Sequence, residues 1–139
     1  MQAIETTDLL YSVLANSEAI MLAGAAVYAE QRPEDSCGVD IVVNCLTYNR
    51  WSNPQTAISN VNIHVPDKKV KIDNRQQYRI DRAKLRSLTS TVVEVLKAEA
   101  NKHPGISFEP TTETLLAENG NTGPQHYVNI RISWLICPE

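Results

Sequence analysis

The sequence predicts an α+β fold: a mostly antiparallel four- to five-stranded sheet with one long helix packed on one face and a short N-terminal helix. Two observations carry this. Three segments alternate apolar and polar residues with the period of two that marks a half-buried strand, and one segment repeats apolar residues at steps of three and four, the mark of a helix with one buried stripe. A sheet covered on one face suits antiparallel strands, whereas an all-parallel sheet reads as continuous apolar runs.

The first element lies in "TTDLLYSVLAN". There Leu9, Leu10, Val13 and Leu14 stand at helical spacing behind Thr6, Thr7 or Asp8 as candidate N-caps, which predicts a short helix. The run from Ala19 to Tyr28 is ambiguous in period. Gly24 interrupts a helix and Pro33 disfavours continuation past Arg32, so residues 25–30 read as a strand and 31–37 as a loop. In "VDIVVNC", Val39, Ile41, Val43 and Cys45 share a face; in "VNIHV", Val61, Ile63 and Val65 oppose Asn62 and His64. In "HYVNIRISWLI", Val128, Ile130, Ile132, Trp134 and Ile136 oppose Tyr127, Asn129, Arg131 and Ser133. The cover for the apolar face is the stretch from Arg82 to about Lys102. There Leu85, Leu88, Val92, Val95 and Leu96 form the stripe, Asp81 is the cap, and "HPG" at 103–105 is the stop. "NGNTGP" carries hairpin signals, although the connection reads as longer than a two-residue turn, and Pro110 requires an edge position or a bulge.

At 139 residues with 42% hydrophobic and 21% charged residues, the chain has the size and composition of a single globular domain spanning 1–139. Its longest uncharged run near the N-terminus, Ala19 to Ala29, is 11 residues and falls short of the roughly 20 needed to span a bilayer, which argues against a membrane partner. Cys37, Cys45 and Cys137 are an odd set without CxxC spacing and read as reduced thiols. The net charge of −3 hides an asymmetry. Residues 1–40 hold seven acids against Arg32 alone, while residues 68–86 hold eight bases against Asp73 and Asp81. Such a bipolar surface suits head-to-tail association of identical copies, and a basic stretch also suits nucleic acid.

The usual catalytic constellations are missing: the sequence has no GxxxxGK, GxGxxG, GxSxG or HExxH pattern. His64, His103 and His126 have spacings that match no metal motif, so no cofactor and no catalytic residue is assigned. A nuclease could be built from Asp40, Asp67 and the lysines of "PDKK", but an Asp after a proline at a strand exit is also a common turn residue. The basic stretch 68–86 has one aromatic, Tyr78, where stacking platforms for single strands use several, and the pI of about 5.6 argues against a dedicated nucleic-acid binder.

Two connections, 47–57 and 66–80, read as long loops of the kind that carry function. In the first, Arg50 and Trp51 are candidate interface residues; Trp51 either anchors a partner or folds back over the sheet edge. In the second the candidates are Lys68, Lys69, Lys71, Arg75 and Arg79. Arg32, Glu34 and Asp35 complete the set, the two acids as counter-charges to the basic stretch on a neighbouring copy.

The succession "GAAVYAEQRPEDSCGVDIVVNCL", "NVNIHVPD", an amphipathic helix and a closing hairpin resembles the tail-completion proteins, tail terminators or head-tail joining proteins, of long-tailed bacteriophages and prophages. The matching positions are Gly24 to Tyr28, Arg32-Pro33, Asp40 to Leu46 and Asn60 to Asp67, within a resemblance that spans about residues 5–136. These are scaffold motifs and transfer no functional residue. The resemblance implies a non-enzymatic virion assembly protein that forms a ring, typically a hexamer, between tail tube and head connector. It would reside in the virion, or in the bacterial cytoplasm during assembly.

Overall fold

The computed structural model describes residues 1–120 and 123–137. Its elements are α1 (Ala3–Ala15), α2 (Glu18–Leu22), β1 (Ala26–Ala29), β2 (Asp40–Asn49), β3 (Gln55–Pro66), β4 (Lys68–Ile72), β5 (Arg75–Arg79), α3 (Arg82–Glu99), β6 (Ile106–Gly120) and β7 (Gly123–Ile136). The fold is the α+β arrangement that the periodicities predict. A five-stranded sheet runs in the order β1-β2-β3-β7-β6, antiparallel except for the β1–β2 pair, and β4 and β5 form a separate two-stranded sheet.

The apolar stripes meet in one core. Leu85, Leu88, Val92 and Leu96 of α3 and Leu10 and Leu14 of α1 pack with Ile41, Val43, Val61, Ile63, Ile130, Ile132 and Trp134 of the sheet. Each fully buried aliphatic side chain contributes about 1.5–3 kcal/mol, enough to fix α3 on the sheet. Asp81 caps α3 as its position predicts, its Oδ1 accepting from the Lys84 amide at 3.2 Å. Lys84 also reaches across to the end of the α2 turn, where its Nζ donates to the Ala23 carbonyl.

Several expectations are corrected. The N-cap of α1 is Gln2, without a side-chain bond, and Thr6 and Thr7 lie inside the helix, buried. Thr6 loses nothing there because its hydroxyl donates to the Ala3 carbonyl at 2.6 Å. The ambiguous run begins with a one-turn helix, α2, capped by Ser17; Gly24 at φ +77° ends that turn in the left-handed region, which suits a residue without a Cβ. The 47–57 loop shrinks to 50–54, because β2 and β3 pair as far as Asn49↔Thr56, with a register shift after Cys45. The 66–80 loop is a hairpin, β4–β5, turned by Asp73 and Asn74 at φ +52° and +64°, the positive values of a two-residue type I′ turn. At the β6–β7 connection pairing extends to Gly120↔Gly123, tighter than expected; Asn121 and Thr122 lie outside the described residues. Pro110 behaves as predicted, on the edge strand β6 at a register shift.

Candidate functional site

β3 is the axis on which every candidate residue is placed. Its 12 residues span roughly 40 Å at strand rise, with the Trp51 turn at the Gln55 end and the basic hairpin at the Pro66 end.

At the Pro66 end the polar face of the sheet is not solvated, as its alternation suggests, but covered. Residues 30–39 fold over it, and Asp40, His64 and Gln125 are buried beneath. Arg32 is the tie: its Nη1 lies 3.2 Å from Asp40 Oδ2 and its Nη2 lies 3.8 Å from Glu118 Oε1, joining β2 to β6. Ser36 donates its hydroxyl to the same Asp40 carboxylate. His64, opposite Asp40 in the ladder, stacks on Tyr127 with centroids 4.8 Å apart. Burial lowers its pKa to about 4, the Arg32 charge adding to the effect and Asp40 opposing it. Further along this face Asn129 Nδ2 donates to Asn60 and Asn62, and Asn60 Nδ2 to Asn44, a ladder of amides across three strands.

On the opposite face, Asp67 accepts from His126 Nδ1 at 2.6 Å, and the Asp67 amide donates to the Pro124 carbonyl. These contacts fix the root of the β4–β5 hairpin to β7. From that root Lys68, Lys69, Lys71, Arg75 and Arg79 project, all exposed, with Lys69 Nζ 5.6 Å from the centre of the Tyr78 ring. Among the described residues none of the hairpin enters the buried core.

At the Gln55 end Tyr48 Oη donates to Gln55 Oε1 at 2.6 Å and closes the base of the turn. Burial raises the Tyr48 pKa; Arg50 opposes that and Glu5, at the start of α1, reinforces it. The turn contains the cis peptide Asn53–Pro54, and Trp51 stands 86% exposed. It does not fold back over the sheet edge.

The structure thus brings the five hairpin bases together and separates them from Arg50 and Trp51 by the length of β3. Glu34 and Asp35 are exposed on the 30–39 loop, at the hairpin's own end, and Arg32 is committed to Asp40 and Glu118. The nuclease pairing comes apart: Asp40 lies on the polar face, bonded to Arg32 and Ser36, and Asp67 lies on the helix side, bonded to His126. An open groove of about 580 Å³ between α3 and β6 is lined by residues such as Thr89, Val93, Glu113 and Leu115, with no histidine or cysteine. Sequence reasoning missed the buried cluster around His64 and the hairpin as an element. Asp-Asn between two five-residue runs was the available signal for the second.

An α+β chain with a buried polar clamp and an exposed basic hairpin is what fold and site define. No family model matches the sequence, and no curated protein does either. In fold it is similar to a chain in the solved structure of the virion of a native gene transfer agent (GTA) particle. The TM-score is 0.59 over 96% of this chain and 94% of that one, at 11% identity. At that identity the likeness is one of fold.

Proposed function

We propose that the chain is a non-enzymatic virion assembly protein of a long-tailed phage or prophage: a ring-forming tail terminator or head-tail joining component that acts through protein contacts. The observation that carries this reading is the end-to-end likeness of fold to a chain of a virion. The projecting basic hairpin and the exposed Trp51 supply contact surfaces of the kind assembly needs, and they stand at opposite ends of one strand. Rings are built from heterologous contacts that close by rotation, so a copy must offer two different surfaces. Partners in this reading are further copies, tail-tube subunits and head-connector proteins.

Light scattering and negative-stain imaging across concentration and salt, with and without purified tail tubes, test it. Closed rings, free or on tube ends, are expected; a strict monomer that leaves tubes unbound ends the proposal. The five hairpin bases also favour a second reading, phosphate binding. In that case DNA affinity falls steeply with salt, with a slope of about −0.9 per phosphate neutralised. On the assembly reading, DNA and RNA incubated with magnesium or manganese stay intact.

A further inference from the structure

The hairpin's counterpart lies on α1. That helix buries Thr6, Thr7, Leu10 and Leu14, and the side turned away from them carries Ile4, Glu5, Asp8 and Tyr11. Ile4 is 61% exposed and Tyr11 40%, large apolar side chains that a helix on a folded core ordinarily turns inward. Residues 1–31 contain four acids and no lysine or arginine, so the two acids beside Ile4 and Tyr11 have no neutralising base in their own segment. The hairpin is the complement. On one of its faces Val70 and Ile72 alternate with Lys68, Arg75 and Arg79, apolar centres among bases. Ile72 is itself 36% exposed.

Position agrees with composition. The hairpin leaves the sheet at the Pro66 end of β3, whereas Glu5 lies near Tyr48, which is bonded to Gln55 at the other end. Donor and acceptor therefore stand at opposite ends of each copy, as head-to-tail contact requires. Glu34 and Asp35 share the hairpin's end and do not meet that condition.

Resting on the ring reading above, we infer that the β4–β5 hairpin of one copy docks on the outward face of α1 of a second copy, with Val70 and Ile72 against Ile4 and Tyr11 and the hairpin bases against Glu5 and Asp8. The contact is heterologous, so a copy that loses one surface keeps the other.

That property gives the test. A hairpin variant, Lys68→Glu with Arg75→Glu and Arg79→Glu, all on the face of Val70 and Ile72, and a helix variant, Glu5→Lys with Asp8→Lys, are purified separately and their masses measured by light scattering alone and mixed. Each alone is expected to dissociate, with the self-association constant weakened by about tenfold or more, as close like charges across an interface require. Mixed, the two regain association as an alternating assembly, since the unaltered hairpin meets the unaltered helix at one junction and the charge-reversed pair meets at the next. Combining all five changes in one chain restores association and shows at once that both sets fold; if the helix variant melts several degrees low, Ile4→Ser with Tyr11→Ser replaces it. A helix variant that associates like the unaltered chain overturns the inference. So does equal weakening by Glu34→Lys with Asp35→Lys, which moves the acceptor to the 30–39 loop while the ring reading stands. If the unaltered chain stays monomeric, bare or with tubes, both fall.

Discussion

At its Gln55 end β3 is fixed by apolar packing, and at its Pro66 end by buried charge and hydrogen bonds, although both ends terminate in an exposed turn. Trp134 shows the first kind of anchoring: 1% exposed, packed on Phe108 with centroids 4.8 Å apart, and donating its indole N–H to Ser59 at 3.0 Å. Asp40, 2% exposed, shows the second, with its charge met by Arg32 and Ser36. Packing involves no titrating group, whereas a buried ionic cluster holds only while each member keeps its protonation state. The two ends are therefore expected to fail under different conditions, and the end that carries the basic hairpin is the one sensitive to its medium.

The largest effect separates them by stability. Trp134→Ala should cost about 3–5 kcal/mol through lost burial and the cavity left behind, read from urea unfolding and independent of pH between 5 and 8. Asp40→Ala should cost about 3 kcal/mol, since it leaves Arg32 partly desolvated with only the more distant Glu118. A loss under about 1 kcal/mol would show that the charged end is not held in this way, because exposed ion pairs are worth no more than that.

A smaller effect comes from His64. Its pKa in the fold is about 4 against 6.5 for a free imidazole, so the unfolded chain binds the proton more readily. The group's contribution is complete above pH 6.5, declines as pH falls toward 4, and is flat below. The loss is on the order of 2 kcal/mol once residual solvation is allowed for. Subtracting the pH–stability curve of His64→Asn from that of the unaltered protein should isolate this slope; parallel curves would remove His64 from the cluster's pH response.

The smallest effect on the fold falls on the exposed turns. Lys68→Glu with Arg75→Glu, and separately Trp51→Ala, should each shift unfolding by less than about 0.5 kcal/mol, since neither site contributes to the core. Yet the hairpin change should weaken association, and its magnitude relative to Trp51→Ala ranks the two ends as contact surfaces.

What the sequence disclosed depended on periodicity. β2, β3, β7 and α3 were legible because each turns one apolar face to the core, and that face writes a period into the residues. The β4–β5 hairpin has no buried face: its bases occupy both sides of a five-residue strand, so alternation is faint and the segment reads as a loop. Helix α2 is a single turn, shorter than one full period of the apolar pattern. The clamp at Asp40 was illegible for a different reason. Asp40 and His64 stand at polar-face positions, as their parity requires, but whether a polar face is wet or covered depends on where residues 30–39 fold, and nothing local encodes that. The same gap left Asp40 and Asp67 as an apparent pair, since a sequence shows which residues are acidic and not which side of a sheet each one faces.

The two edges of the five-stranded sheet are unequal: β1 has four residues and β6 has 15. An open edge of that length could in principle take up another strand. Along β6, however, Glu109, Glu113 and Glu118 are exposed and the strand has no base of its own, Glu118 alone being met by Arg32, and the register slips after Pro110. Laid edge to edge, two such strands would set acid against acid and break their own ladder at the irregularity. A margin that repels its own image keeps neighbouring molecules apart at high local concentration, and directs any union between them to parts of the chain that lie outside the sheet.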